Sequence, residues 1–319
     1  MATLTLNHLS LLEIAKRVHN GKFQAIAETL AETNDIITDA VWLPANDLTS
    51  HVYTRQQALP NGTYKKPRQG VAPEGAKTNQ IREEVADLYG YSNVDEQELN
   101  KTPDKAAARM SEDMMFVEGL SQTSAGDIIY GNNAADPEKL MGLANRVEYN
   151  NLAANVIGSG GTGSDLASLW ILQWGERAIS LRYPMNQEIG ISWEDLGRQP
   201  VSDGTNDFYA QVSQFIISYA LIIKDIRNAQ RVANIESAGS SNTLDDDDMI
   251  TSLNKMPQRG RGAHIYCNRT IMSQLDIIGK DQSNIYYEPS EFGGRPTMFY
   301  RATPVGLHEQ LLNTEDALT

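Results

Sequence analysis

Residues 49–78 constrain the fold most, because this long stretch has neither a helical nor a clean strand period. Glycine and proline recur through it. Its charged side chains are Arg55, Lys65, Lys66, Arg68, Lys77 and Glu74, which give a net charge of +4 in a chain whose net charge is −14. A loop of this length in a compact domain is usually functional or disordered. Because its charge is opposite to that of the rest of the chain, we expect an arm that reaches onto another copy of the subunit.

Apolar side chains are interspersed with these cations. They are Tyr53, Leu59, Tyr64 and Val71. Exposed ion pairs contribute only about 0 to 1 kcal/mol each, so charge alone would hold such an arm weakly. Buried apolar anchors supply more energy at interfaces, and extended segments commonly add main-chain contacts to a neighbour. We therefore predict that the arm makes both strand-like and apolar contacts with an adjacent subunit.

Composition limits the classes of protein that the chain can belong to. Its 319 residues, 40% of them hydrophobic, are enough for one large domain or two with a real core. Apolar runs such as residues 215–223 are too short to cross a bilayer, which takes about 20 residues, and the start of the chain has no secretory signal pattern. Cys267 is the single cysteine, which fits a reducing compartment. The acidic balance argues against sequence-independent binding of nucleic acid.

Helical patterns dominate the first half of the chain. Residues 10–21 and 23–30 each place apolar side chains on one helical face, which predicts two short helices. Thr102 and Pro103 form a helix start, with threonine as the N-cap and proline at the first helical position. The helix that follows, over about 103–120, carries a stripe of apolar side chains at helical spacing: Ala106, Met110, Met114, Val117 and Leu120. We interpret this stripe as core.

Strand-like runs dominate the second half. Residues 169–174 and 178–183 flank a short polar turn and predict a hairpin, and residues 209–223 predict a strand rich in β-branched and aromatic side chains. In residues 225–235 the apolar side chains again have a helical spacing, which predicts a helix. A short strand follows at 263–267, with Asn268 as the cap of another helix, and the tail over 298–312 predicts two extended runs separated by a turn at Thr303 and Pro304. This order predicts an α+β fold.

The glycines at 158, 160 and 163 match the letters of the GxGxxG dinucleotide-binding fingerprint. That motif requires an apolar strand before it and a helix after it, so that the pyrophosphate meets free N–H groups at the helix start. Here the preceding residues are polar and the following residues predict a strand. We interpret Gly158–Gly163 as a flexible surface loop, and an enzyme that binds a nucleotide-type cofactor there remains the alternative.

Other candidate chemistry has simpler explanations. The run Asp245–Asp248 lacks the spacing of a calcium loop, and Thr243 with Asp246 predicts a helix N-cap instead. His264 and Cys267 lie three positions apart on a strand and so point to opposite faces. His308 and Glu309 begin a zinc-type HExxH pattern, but position 312 is leucine. We therefore predict no catalytic, cofactor-binding or metal site, and no enzyme.

Five stretches together resemble a known family. They are GDIIYGNNAADPEKLMGL at 126–143, SLWILQWGERAISLRYP at 168–184, YALIIKDIRNAQRVANIE at 219–236, GAHIYCNRTIMSQLDII at 262–278 and FYRATPVGLHEQLLNTEDAL at 299–318. They resemble, in order and across nearly the whole chain, the major capsid proteins of tailed bacteriophages with the Hong Kong 97-like fold. The epsilon 15-type podovirus capsid proteins are the most similar branch.

The resemblance implies a structural protein that forms an icosahedral shell of pentamers and hexamers around double-stranded DNA, without sequence-specific binding. It implies an N-terminal arm at 1–47, an extended loop at 48–80 and a peripheral domain at 81–126 that contains a long spine helix. It further implies a mainly axial domain at 127–290 and a C-terminal segment at 291–319. Residues 48–80 would lie over an adjacent subunit.

Partners also follow from the resemblance. The implied partners are other copies of the subunit, a portal protein and, in some shells, a cement or decoration protein. The resemblance also implies assembly in the bacterial cytoplasm, without a membrane. The chain begins almost directly with helical patterns, so we expect a separate scaffolding protein. A covalently cross-linked relative uses a loop lysine and an asparagine of a neighbour, but Lys65 and Lys66 have no identifiable partner asparagine and fit ion-pair donors better. A different oligomeric virion component, such as a decoration or portal-ring protein, is the remaining alternative.

Overall fold

Two β-sheets, a separate hairpin and one long helix form the framework of the protein. The computed structural model describes residues 35–101, 105–152, 154–202, 207–239, 241–281, 285–288 and 297–319. The two helices predicted before residue 31 and the helix start at Thr102 and Pro103 lie outside these residues. The mixture of helix and sheet agrees with the predicted α+β class. No helix in the described residues is long and apolar enough to cross a membrane.

The elements are numbered in chain order through the described residues. The helices are α1 (Asp35–Asp39), α2 (Glu96–Lys101), α3 (Lys105–Tyr130), α4 (Asp246–Lys255) and α5 (Arg269–Asp281). The strands are β1 (Trp42–Pro44), β2 (Ser50–Ala58), β3 (Lys77–Glu84), β4 (Ala86–Asp95), β5 (Val156–Gly158), β6 (Leu166–Gln173), β7 (Ile179–Tyr183), β8 (Ile191–Ser202), β9 (Asp207–Ile223), β10 (Ala229–Glu236), β11 (Ala263–Cys267), β12 (Ile285–Glu288), β13 (Thr297–Tyr300) and β14 (Thr303–Leu307).

The larger sheet has seven strands in the order β12-β13-β14-β11-β6-β10-β5. Strands β6 and β10 lie in its interior and are buried on both faces, which explains their nearly continuous apolar sequences. One face packs on α4 and α5, where Met249, Ile271 and Leu275 are fully or almost fully buried. The other face, which includes Trp170, joins the core beneath α3.

The smaller sheet is built around β9, a strand of 17 residues. Its first part pairs with β4 on one side and β8 on the other, and its end pairs with β7, which in turn pairs with β1. Helix α3 packs on this sheet: Leu120 contacts the position of Gly90 on β4, and Ser213 of β9 donates to Asp113 of α3 at 3.0 Å. The helix reaches Tyr130, ten residues beyond the predicted end at about 120.

The predicted hairpin of residues 169–174 and 178–183 is wrong. Strand β6 belongs to the larger sheet and β7 to the smaller one, and only an isolated bridge between Trp174 and Ile179 joins the two runs. Both strands are buried on both faces, so each can complete a sheet with partners that are distant in sequence. The short turn between them therefore carries the chain from one sheet to the other.

Two further predictions need correction. The helix predicted over 225–235 is a short 3₁₀ turn at Ile226–Asn228 followed by strand β10, because a strand buried on both faces shows the same dense apolar residues as a buried helix. The turn predicted at Thr303 and Pro304 lies at Arg301 and Ala302, which both have positive φ angles of 48° and 64°. Those angles are typical of the two central residues of a tight hairpin turn.

The C-terminal segment is tied to the larger sheet by a buried ion pair. Arg231 Nη2 of β10 lies 2.9 Å from Glu315 Oε2, and the two side chains are 4% and 8% exposed. Ser168 Oγ and Tyr130 OH both donate to the same carboxylate. Burial and the charge of Glu315 raise the pKa of Tyr130, so its phenol stays protonated and donates. The tail thus completes the core that joins the two sheets and α3.

Candidate functional site

The basic stretch of the sequence forms a hairpin, β2 paired with β3, in a sheet of its own. Its base is anchored in the body of the protein. Tyr53, one of the predicted arm residues, is only 6% exposed and packs with Ala220 and Ile222 of β9, while Ile81 of the opposite strand closes the cluster. The aromatic ring thus holds the hairpin to the smaller sheet within the same chain.

Two ion pairs fix the direction of the hairpin. Arg55 Nη1 of β2 lies 2.7 Å from Glu148 Oε1, and Arg146 Nη1 lies 2.6 Å from Glu83 Oε1 of β3. Arg55 also donates to the carbonyl of Ile223 at 2.8 Å. Each strand of the hairpin is thereby bound to the same short segment, residues 146–148. Charge-assisted hydrogen bonds of this kind, with half-buried or buried partners, hold geometry better than exposed ion pairs.

The tip of the hairpin, residues 59–76, projects from this base and is exposed throughout. Tyr64 is fully exposed, and Leu59 and Val71 are 73% and 49% exposed. The exposed cations beside them are Lys65, Lys66, Arg68 and Lys77. Strand pairing begins again where Ala58 faces Lys77, so the tip is a closed loop on a fixed stem. The predicted site residues therefore divide into an anchored pair, Tyr53 and Arg55, and an exposed remainder.

A turn shapes the end of the tip. The amide of Gln69 donates to the carbonyl of Lys66 at 3.1 Å, and Pro67 and Arg68 lie between them. Arg68 has φ of 69°, a conformation that is uncommon for residues other than glycine and typical of the third position of a type II turn. Across the loop the amide of Asn61 donates to Glu74 at 2.7 Å. These contacts present the cations together at the end of the hairpin.

A groove between β4 and α3 is a further exposed apolar feature, and the sequence analysis did not predict it. Its apolar side chains are 38% to 55% exposed: Tyr89, Tyr91, Met115 and Phe116. Glu112 lines the same groove. The interpretation of the α3 stripe as core holds for Val117 and Leu120, which are buried, but is wrong for Ala106 and Met110, which are exposed. Met110, Met115 and Phe116 lie in the first half of α3, so part of the apolar surface of that half meets solvent.

The loop Gly158–Gly163 is a surface loop between strands, as predicted. It leads from β5 into β6, so no helix follows it in the chain, and the helix start beside it is that of α4, where Asp248 accepts from Ser159 Oγ at 2.8 Å. Gly160 and Gly163 have φ of 87° and 131°, and a Cβ at Gly161 would lie 2.5 Å from the carbonyl oxygen of Asn234. The glycines thus allow a tight path beside β10, and the start of α4 beside the loop carries the carboxylates of Asp245–Asp248, which would repel a pyrophosphate.

The acidic run Asp245–Asp248 lies at the start of helix α4, as predicted, but the N-cap residue differs from the predicted one. Asp245, and not Thr243, is the N-cap of α4: its side chain accepts from the amide of Asp247 at 3.2 Å. The carboxylates that follow lie in the first helical turn, where the helix dipole favours them. Within the described residues, no group of three or more His, Cys, Asp and Glu side chains is placed to hold a metal ion.

His264 and Cys267 do not meet. His264 Nδ1 pairs with Asp39 Oδ2 at 2.9 Å, whereas Cys267 is fully buried in the core between the larger sheet and α5. Burial raises the pKa of the Cys267 thiol to about 12, so it stays protonated and unreactive. The structure thus separates these two side chains as the strand alternation predicts.

We expect buried His308 to make the stability of the protein depend on pH. Its side chain is fully buried, and burial lowers its pKa from 6.5 to about 4. The unfolded chain therefore binds this proton at higher pH than the folded chain, and stability is lost as the pH falls below about 6.5. We expect the free energy of unfolding to drop by about 2 kcal/mol between pH 7 and pH 5 from this residue. Denaturant titrations should show a flatter profile for His308→Gln; identical slopes would contradict the assignment.

Comparisons with known proteins cover the whole chain. A family described as major capsid protein GP7 matches residues 18–319. Among solved structures, that of bacteriophage epsilon15 aligns over 100% of this chain and 100% of its own, with 28% identity and a TM-score of 0.64. The capsid of bacteriophage JBD30 aligns over 85% of this chain and 88% of its own, with 11% identity and a TM-score of 0.47. A search of the curated proteins gives no match.

Proposed function

The chain belongs to the GP7 family of major capsid proteins, and from this premise we propose how its subunits hold one another in the shell. It is a capsid shell protein of the tailed-bacteriophage type with the Hong Kong 97-like fold. We infer a structural and not an enzymatic role, and shells of pentamers and hexamers that enclose double-stranded DNA. This inference rests on one observation: the chain matches the major capsid protein family in sequence and the epsilon15 structure in fold over essentially its whole length.

The exposed tip of the hairpin is, in this proposal, the arm that contacts a neighbouring subunit. It is a cationic and aromatic loop on a stem that the same chain fixes through Tyr53, Arg55 and Arg146. A fixed stem lowers the entropy that the loop loses on docking, because its direction is already set. The anchored residues therefore orient the arm, while Leu59, Tyr64 and the exposed cations make the contacts between subunits.

The groove between β4 and α3 is the surface that complements this arm. Exposed tyrosine, phenylalanine and methionine side chains supply an apolar floor, and Glu112 supplies a carboxylate. Patches of exposed aromatic residues of this kind mark interaction sites. Aromatic side chains of the tip would pack on the floor of the groove, while the tip lysines would face the acidic surface around it.

The arrangement of domains follows from the same family. We infer that residues 48–80 form the extended loop and that α3 is the spine helix of a peripheral domain over 81–126. Residues 1–47 would form the N-terminal arm, 127–290 the mainly axial domain and 291–319 the C-terminal segment. Because α3 runs unbroken to Tyr130, the helix itself would cross the boundary between peripheral and axial domains. A portal protein and a separate scaffolding or cement protein are further expected partners, with assembly in the bacterial cytoplasm.

Expression of the chain in bacteria tests the assignment. We expect a fast-sedimenting fraction that electron microscopy shows as closed icosahedral shells, either from the chain alone or when the scaffolding protein of the same phage is co-expressed. Spikes or a twelvefold ring in both preparations would contradict the assignment as the shell protein. Thermal shift with NAD or FAD tests the alternative at Gly158–Gly163, where a cofactor-dependent rise in melting temperature would favour an enzyme.

A further inference from the structure

Arg182 of β7 is a buried arginine without a counter-charge. The residue is 6% exposed, and its Nη1 donates to the carbonyl of Pro44 at 3.1 Å. None of the ion pairs in the described residues includes it. The two other buried arginines in that part of the chain, Arg146 and Arg231, each pair with a glutamate. Because a buried charge is costly unless an opposite charge offsets it, Arg182 needs an anion that these residues do not supply.

Lys224 lies on the same face of the smaller sheet as Arg182. In the pairing of β7 with β9, Arg182 is directly opposite Ala220, and opposite residues share a face. The amide of Lys224 donates to the carbonyl of Ala178 at 3.0 Å, which continues this pairing past the end of β9. Alternate residues of a strand also share a face, so Lys224, four positions after Ala220, lies on the side of Arg182. Ala220 packs with Tyr53, so the stem of the hairpin covers this face.

His51 of β2 belongs to the same cluster. It lies two positions before Tyr53, and the two rings stack with their centroids 6.2 Å apart. Its Nδ1 accepts from the amide of Asn46 at 3.2 Å, so the neutral ring carries its proton on Nε2. This Nε2–H group has no acceptor among the described residues. The hairpin thus contributes a free N–H donor near the two cations.

The three side chains are close enough to act on one another electrostatically. Burial and the positive charges of Arg182 and Lys224 lower the pKa of His51 to about 4, so its ring is neutral at pH 7. Burial and Arg182 also lower the pKa of Lys224, on which the exposed side chains of Glu176 and Arg177 act in opposite directions. Like charges gathered in this way repel a further cation and attract an anion.

Each of the three side chains has a donor that a ligand can reach. Nε of Arg182 is buried without a hydrogen-bond partner and is closed to a ligand. Nη2 of Arg182 and Nε2 of His51 also have no partner within the described residues, but both keep contact with solvent. Lys224 is half-buried, and its ammonium group makes no ion pair or hydrogen bond in the same part of the chain. A guanidinium N–H, an imidazole N–H and an ammonium group together suit one small anion.

We propose that Arg182, Lys224 and His51 bind a carboxylate side chain of a neighbouring subunit. The inference rests on the proposed shell, in which every subunit has neighbours of the same kind. The chain contains 41 Asp and Glu residues against 27 Lys and Arg residues, so each copy has carboxylates to spare. A guanidinium group pairs with a carboxylate through charge-assisted hydrogen bonds, and the neighbour would thereby supply the counter-charge that Arg182 lacks. This contact lies at the base of the hairpin and is separate from the contact made by the tip.

Replacement of Arg182 by methionine separates docking from folding. The change removes a charge that the isolated subunit leaves without a partner, so the melting temperature of the unassembled subunit should not fall. Water can replace the bond to Pro44, which is exposed. The fraction of subunits in shells, measured by sedimentation, should fall at least tenfold. Arg227→Met is the matched control and should assemble normally, because this exposed arginine pairs with Asp225 of its own chain.

Acetate tests the site on the unassembled full-length chain. Compared with chloride at the same ionic strength, acetate should raise the melting temperature of the unaltered chain more than that of Arg182→Met. Lys224→Gln is a second variant, which decides the test if Arg182→Met does not fold. Its side chain makes no hydrogen bond in the described residues, so the variant should fold, gain less from acetate and form fewer shells.

The inference is overturned if acetate raises the melting temperatures of the unaltered chain and of the folded variants equally. It is also overturned if Arg182→Met or Lys224→Gln folds and forms shells as well as the unaltered chain does. A rise with phosphate but not with acetate overturns it in favour of a phosphate ligand. Failure of the unaltered chain to form shells contradicts the proposed assembly instead, since the acetate measurement needs no shells.

Discussion

Replacement of Glu315 by alanine should lower the free energy of unfolding by about 3–5 kcal/mol, the range found when one partner of a buried ion pair is removed. Arg231 is 4% exposed and would remain buried without its counter-charge. Its bonds to Ser168 Oγ at 3.0 Å and to the carbonyl of Tyr149 at 3.0 Å would survive, but neither carries a charge. Ser168 and Tyr130 would each lose the acceptor that they now share.

The exposed pair Arg269 and Glu309 provides the matched control. Its side chains are 77% and 49% exposed, so water already solvates both charges. Glu309→Ala should change the free energy of unfolding by less than about 1 kcal/mol. Urea titrations of both variants, followed by circular dichroism, give the comparison. Equal losses in the two variants would mean that burial of the Arg231 pair does not determine its contribution.

Local patterns predicted single elements well. The apolar and β-branched run at 209–223 is part of β9, and the short strand predicted at 263–267 is β11. Asn268 caps α5 as expected, since its Oδ1 accepts from the amide of Ile271 at 2.9 Å. Each of these depends on neighbours within a few residues. The sheet to which β6 or β7 belongs depends on strands far along the chain, and for strands buried on both faces the side-chain pattern does not distinguish between partners.

The hairpin shows the same limit at the candidate site. Its charge, its length and its lack of a period predict an exposed arm from sequence alone, and residues 59–76 are exposed. The stem could not be predicted, because Arg146 pairs with Glu83 across 63 positions and Arg55 with Glu148 across 93. An arginine in a cationic stretch has the same local sequence whether it binds its own chain or a neighbour. Only the three-dimensional structure shows that Arg55 is anchored to its own chain while the cations of the tip are exposed.

Removal of the tip should leave a folded subunit that fails to form stable shells. Residues 59–76 can be replaced by Asn-Gly, because Ala58 and Lys77 are paired and a two-residue turn closes such a hairpin. The deleted residues are exposed and make few contacts with the body, so the thermal unfolding of the subunit should change little. The anchors at Tyr53, Arg55 and Arg146 remain. Each lost contact recurs at every copy in a shell, so we expect the assembled fraction to fall at least tenfold.

A charge-neutral variant separates the two contributions of the tip. With Lys65, Lys66 and Arg68 all replaced by glutamine, the aromatic and aliphatic side chains stay in place. Exposed charges contribute about 0 to 1 kcal/mol per pair and are screened by salt, so this variant should still assemble, more slowly and with less dependence on salt. Sedimentation and electron microscopy of both variants measure the assembled fraction. Normal shells from the tip deletion would exclude the tip as the contact between subunits, whereas equal failure of both variants would make charge, and not apolar burial, the main source of its binding energy.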